Sequence, residues 1–105
     1  MKRVYLDNAA TTPLDPAVVA EMTNVMTNYF GNPSAIHALG REVRTLVEKA
    51  RKTVATLLNA APSEIFFTSG GTEADNTAIR CGIAAYGIKH AITSKIEHHA
   101  VEHTL

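Results

Sequence analysis

The chain has 105 residues, with ten basic and ten acidic side chains and no net charge when histidine is neutral. It is therefore the size of one small domain, and it offers no basic surface for a nucleic acid. Hydrophobic residues make up 46% of it, but no run is long enough to span a membrane, and the single cysteine, Cys81, excludes an internal disulfide and fits a reducing compartment, taken here as the cytoplasm.

The N-terminus, Met1-Lys2-Arg3, is basic but meets Asp7 and Asn8 with no apolar stretch between, so it does not read as a secretory signal. Val4-Tyr5-Leu6 reads as a short extended segment. Asp7 to Pro13 follows as a small, polar loop, in which Pro13 keeps Thr12 out of helical geometry. Such a loop either connects elements or lines a pocket, because small side chains let a ligand approach the backbone. Asp15-Pro16 is a helix start, an N-cap followed by proline at the first helical position. Val18, Val19, Met22, Val25, Met26, Tyr29 and Phe30 then recur at helical spacing, and Gly31-Asn32-Pro33 ends the helix. Ser34 is a cap for the next helix. Its apolar stripe runs through Val43, Leu46, Val47, Ala50, Val54, Leu57 and Leu58, and its charged residues make a solvated face. Gly40 costs about 1 kcal/mol relative to alanine inside a helix, so it marks a break or a close backbone contact. Asn59 to Pro62 is the stop.

Ile65-Phe66-Phe67 reads as a short buried strand. It leads through Thr68-Ser69-Gly70-Gly71 into a helix that opens at Thr72 and runs to Tyr86. A strand that turns through glycine into a helix N-terminus is suited to an anion, because the first-turn N–H groups have no partner inside the helix. Taken alone, the stretch is more often an ordinary cap, with Thr72 as the capping residue, and Glu73 and Asp75 place negative charge in the same turn. It lacks the Lys-Ser/Thr ending of a P-loop and is not G-x-G-x-x-G. Cys81 falls within this helix and reads as a small buried side chain. Gly87 ends the helix, His90 to Ser94 reads as a second strand, and Glu97-His98-His99-Ala100-Val101 leads into another helix.

Strand, helix, strand, helix is one βαβ unit with a right-handed crossover. Two parallel strands make a poor sheet, because parallel sheets are wider and covered on both faces. The elements therefore read as the front part of a larger α/β protein.

These residues together carry a family pattern. The chain resembles the N-terminal quarter of the cysteine desulfurases, in the class V branch of fold-type I pyridoxal-phosphate enzymes. The likeness rests on four blocks in order: Tyr5 to Pro13; Gly31-Asn32-Pro33-Ser34 with His37 and Gly40; Phe67 to Glu73 with Asn76; and Glu97 to Val101. Ala35 stands where the family often has a second serine, and Gly71 where alanine is also common. The resemblance implies the N-terminal part of a three-layer transferase fold, its helices leading into a βαβ unit of a mostly parallel sheet. Residues 1–15 would form an N-terminal arm near the active site, and residues 16–105 the first part of the large cofactor-binding domain. It implies pyridoxal 5'-phosphate as cofactor, with Gly71 and Thr72 holding the phosphate and His98 stacked on the pyridine ring and assisting proton transfer. Asn8, Ala9, Ala10, Thr11, Asn32 and His37 would lie on the substrate side or at a dimer interface.

The implied reaction converts L-cysteine to L-alanine and a protein-bound persulfide, which supplies iron–sulfur cluster or thio-cofactor assembly. The implied partners are a second copy in a homodimer and a sulfur-acceptor protein such as an iron–sulfur scaffold. The family's Schiff-base lysine, its sulfur-accepting cysteine and the aspartate that pairs with the pyridinium nitrogen match no position here, so these 105 residues alone are expected to be inactive. The alternatives are another class V enzyme, such as a selenocysteine lyase or an aminotransferase, and a non-catalytic piece competent only for assembly. His99 and His103 with Glu102 have a spacing that can hold zinc, but two histidines without a cysteine pair are half a structural site, and no metal is expected.

Overall fold

The computed structural model describes residues 3–105, and the basic start at Met1 and Lys2 lies outside the described residues. The chain divides into two compact units, one ending at Pro62 and the other spanning Ser63–Leu105. Among the described residues four α-helices form: α1 (Pro16–Asn28), α2 (Ala38–Leu57), α3 (Gly71–Tyr86) and α4 (His99–Glu102). A short 3₁₀ turn, Pro62–Glu64, follows α2.

In the first unit, α1 starts where the Asp-Pro pair predicts. The Asp15 carboxylate accepts from the Ala17 N–H at 2.7 Å, and Pro16 fills a position that needs no donor. The helix ends at Asn28, where Tyr29 caps it through an N–H donated to the Val25 carbonyl. α2 is capped by His37 and not by Ser34. Asn32 Oδ1 accepts from the Ser34 N–H at 2.9 Å, which folds Ser34 into a turn, and His37 Nδ1 then accepts from the Gly40 N–H at 3.4 Å. Gly40 is the close backbone contact. A Cβ there would lie 2.6 Å from the Asn32 carbonyl oxygen and 2.8 Å from the Ala35 Cβ. Arg44 Nε donates to the Pro33 carbonyl at 2.8 Å and ties the same turn to α2. α2 ends in a Schellman arrangement. Asn59 takes a left-handed φ of 52°, the Ala60 N–H donates to Ala55 O at 2.9 Å and the Asn59 N–H to Thr56 O at 3.2 Å.

In the second unit α3 packs on α4. The partly buried positions of α3, Asp75, Asn76, Ile79, Gly82 and Ile83, recur at helical spacing and form one stripe. The helix closes on Gly87, whose φ of 61° is the left-handed conformation that glycine adopts most readily.

Three further expectations are corrected. Residues 65–67 and 90–94 form no strand, and among the described residues there is none. Strand pairing is not local, and a lone parallel pair has neither the width nor the cover on both faces that stabilises such sheets. Phe66 is accordingly 79% exposed and Ile92 fully exposed instead of buried. Cys81 is exposed, because it lies off the stripe of α3 that packs. Thr72 does not cap α3: the helix begins at Gly71, its N-cap is Gly70, and no side chain caps it.

Candidate functional site

The second unit brings Gly71, Thr72 and His98 into one constellation, linked through Asn76. At the start of α3, the first helical bond runs from the Ala74 N–H to the Gly70 carbonyl at 3.1 Å. Among the described residues no acceptor meets the N–H groups of Gly71, Thr72 or Glu73, and the Thr72 hydroxyl has no partner. Three backbone donors and one hydroxyl at the positive end of a sixteen-residue helix are the donor set that a phosphate monoester needs. A Cβ built on Gly70 or Gly71 would meet no atom within 4 Å, so the approach to these donors is open. The residues present therefore fit the phosphate group that the sequence resemblance implies.

Glu73, the acid in that first turn, is engaged within the chain. Its Oε2 accepts from the Ser69 N–H and from the Ser69 hydroxyl, each at 2.7 Å. The backbone donor, and then the hydroxyl, hold its carboxyl below the ordinary carboxylate range. Thr68 is also tied down locally, its hydroxyl donating to the Gly70 carbonyl at 3.2 Å.

His98 is the N-cap of α4, with Nδ1 accepting from the Ala100 N–H at 3.1 Å. This bond assigns the ring proton to Nε2 and leaves Nε2 as the imidazole atom open to a partner. His99 and Glu102 form an i,i+3 ion pair at 3.5 Å when His99 is protonated. His103 lies close enough for the three side chains to offer ligand atoms within 4.8 Å of one another, all of them exposed.

The residues expected on the substrate side lie in the first unit and make local contacts there. Asn8, Ala9 and Ala10 form a turn, in which the N–H groups of Ala10 and Thr11 donate to Asp7 O at 3.1 and 3.3 Å. The Thr11 hydroxyl shares a 2.7 Å bond with the Tyr5 hydroxyl. Asn32 and His37 meet around Gly40, as described above.

Two contributors have no role assigned from the sequence, although Asn76 is among the residues that carry the resemblance. Asn76 Nδ2 donates to Thr72 O at 2.8 Å and to Ala100 O at 3.3 Å. Thr104 Oγ1 lies 2.8 Å from Asn76 Oδ1 and 2.7 Å from Ala100 O. The bond from Asn76 to Thr72 spans one helical turn and could be anticipated. Those to Ala100 and Thr104 join residues 24 and 28 apart, and depend on how α3 meets α4.

The chain is similar to known proteins. The family model described as "Aminotransferase class-V" matches residues 4–104. The putative cysteine desulfurase IscS 1 of Bacillus subtilis (strain 168) is 53% identical over 106 residues, a match covering 99% of this chain and 28% of that protein. The cysteine desulfurase IscS of Methanosarcina thermophila is 53% identical over 98% of this chain and 26% of its own length. Among solved structures, a NifS-like protein superposes with a TM-score of 0.86 at 42% identity, covering 98% of this chain and 29% of that one. The chain thus spans about a quarter of the length of the relatives it matches.

Proposed function

The chain belongs to the aminotransferase class-V family, and from that premise we propose that it is the N-terminal part of a pyridoxal-phosphate-dependent cysteine desulfurase. The supporting observation is the second unit's constellation: open N–H donors at Gly71, Thr72 and Glu73, and His98, the N-cap of α4, joined to α3 through the Asn76–Ala100 bond. The named desulfurase relatives share about half of their aligned residues with this chain along nearly its whole length.

In this reading the backbone N–H groups and the Thr72 hydroxyl bind the phosphate, and the helix dipole of α3 favours its charge. His98 presents a ring face to the pyridine and uses Nε2 to hold or move a proton, while Nδ1 stays committed to Ala100. The bound cofactor supplies an electron sink at the substrate Cα. The lysine that anchors it and the cysteine that accepts sulfur match no position among these 105 residues, so this stretch alone is inactive. Asn8 to Thr11, Asn32 and His37 contribute to the substrate side, with residues 1–15 as an arm and residues 16–105 as the first part of the cofactor domain.

The substrate is L-cysteine, the products are L-alanine and a protein persulfide, and the enzyme works in the cytoplasm as a homodimer that passes sulfur to an acceptor such as an iron–sulfur scaffold. No helix among the described residues is long and apolar enough to cross a membrane.

The test is to supply the intact protein with pyridoxal phosphate and L-cysteine and to quantify alanine and persulfide. Stoichiometric alanine with persulfide on protein supports the proposal. Turnover confined to selenocysteine, or amino transfer to an oxo acid, would assign the chain to another class V activity.

A further inference from the structure

We propose that Asn76 is a positioning residue that fixes His98 relative to the Gly71–Thr72 turn. This deepens the cofactor reading above and rests on it.

The path is continuous and short. Asn76 sits one turn into α3, and its amide nitrogen donates to the carbonyl of Thr72, in the turn proposed to hold the phosphate, at 2.8 Å. The same nitrogen donates to the carbonyl of Ala100 at 3.3 Å. The N–H of Ala100 in turn donates to His98 Nδ1 at 3.1 Å. One side chain therefore links the proposed phosphate turn to the residue whose backbone orients the imidazole.

Both hydrogens of the amide are matched, and its oxygen shares the single Thr104 hydroxyl hydrogen with the Ala100 carbonyl. An Asn NH₂ has two hydrogens, and it meets two carbonyls. Its oxygen faces the Thr104 hydroxyl at 2.8 Å, which lies 2.7 Å from the Ala100 carbonyl as well. Carbonyl oxygens cannot donate, so the amide cannot be flipped without losing both of its donated bonds. Asn76, Ala100 and Thr104 are buried or partly buried, whereas most of α3 and the segment before α4 are exposed. The cluster is thus the polar core of the α3–α4 contact. It sets the separation between two groups that must meet the phosphate and the ring of one rigid ligand, and a small misplacement there weakens both contacts.

Asn76→Asp keeps an oxygen for Thr104 and removes both donors, while Thr104→Val removes the hydroxyl and keeps the shape. Both variants are made in the intact protein. Without cofactor, amide exchange at Ala100 to His103 is expected to quicken by about three- to tenfold in Asn76→Asp, the effect of losing an ordinary hydrogen bond. With pyridoxal phosphate added, affinity is expected to fall about tenfold and the absorption maximum of the bound cofactor to move. Thr104→Val should shift each readout the same way by less, and it decides the question if Asn76→Asp does not fold. Thr72→Val separates the two levels. If Thr72→Val weakens cofactor binding while Asn76→Asp leaves affinity and absorption at wild-type values, Asn76 merely holds α4 and the positioning role is overturned with the cofactor site intact. If Thr72→Val leaves binding unchanged, the cofactor reading fails and the positioning role fails with it.

Discussion

Two glycines in this chain are predicted to respond in opposite ways to the same substitution. In Gly40→Ala the new Cβ would lie 2.6 Å from the Asn32 carbonyl oxygen and 2.8 Å from the Ala35 Cβ, with the Ala35 carbonyl closer still. Ordinary contact begins near 3.4 Å, so backbone carbonyls of the Asn32–Ala35 turn would have to retreat by about 0.8 Å. They are not free to do so. The Asn32 carbonyl accepts from the Ala35 N–H at 3.0 Å, Arg44 holds the Pro33 carbonyl and Arg41 holds that of Ile36. Overpacking of this kind costs about 1–3 kcal/mol, and the helix propensity of alanine returns at most about 1 kcal/mol. The net expectation for Gly40→Ala is a loss of about 1–2 kcal/mol. In Gly71→Ala the Cβ meets nothing within 4 Å, so only the propensity gain remains, reduced at a helix end to a few tenths of a kcal/mol. Urea unfolding followed by circular dichroism reads both variants. Wild-type stability in Gly40→Ala, or an equal loss in Gly71→Ala, would refute the reasoning from close approach.

Two further predictions address the side chains of the site. His98→Asn retains an acceptor for the Ala100 N–H and so keeps α4 capped, whereas His98→Ala loses the cap at a cost of about 0.5–2 kcal/mol. Both lose the aromatic face, so equal loss of cofactor affinity with unequal loss of stability is expected, and equal losses of stability would show that the cap contributes nothing. The Ser69 backbone N–H, and then its hydroxyl, depress the Glu73 carboxyl, so the folded value lies below the unfolded one. The stabilisation is then complete above the ordinary carboxylate range and is lost as pH falls through the folded value. Ser69→Ala removes the hydroxyl and keeps the N–H, so the Glu73 titration read by carbon NMR should move part of the way up, and an unmoved titration would contradict the assignment.

What the sequence disclosed was governed by range. The start of α1 was legible because Asp15 and Pro16 act on adjacent backbone. The stop after α2 was legible because Asn59 tolerates a left-handed conformation. The start of α2 was misplaced because Ser34 and His37 compete as caps, and Asn32 decides between them by drawing Ser34 into a turn. The two strands were over-read because pairing depends on distant segments that no local pattern reports. The same limit hid the exposure of Cys81 and the reach of Asn76 to Ala100 and Thr104. Of the candidate site, Gly71, Thr72 and His98 could be named from motif and resemblance, but the bond network joining them required the packing of α3 on α4.

The central claim is that the first turn of α3 holds the cofactor phosphate. The direct measurement is the dissociation constant of pyridoxal phosphate for the intact wild-type protein, Thr72→Val and Thr72→Ser. Loss of one charge-assisted hydrogen bond in the valine variant predicts affinity weaker by about ten- to hundredfold. The serine variant, which keeps the hydroxyl, should bind close to wild type. Equal affinity in wild type and Thr72→Val would contradict the account.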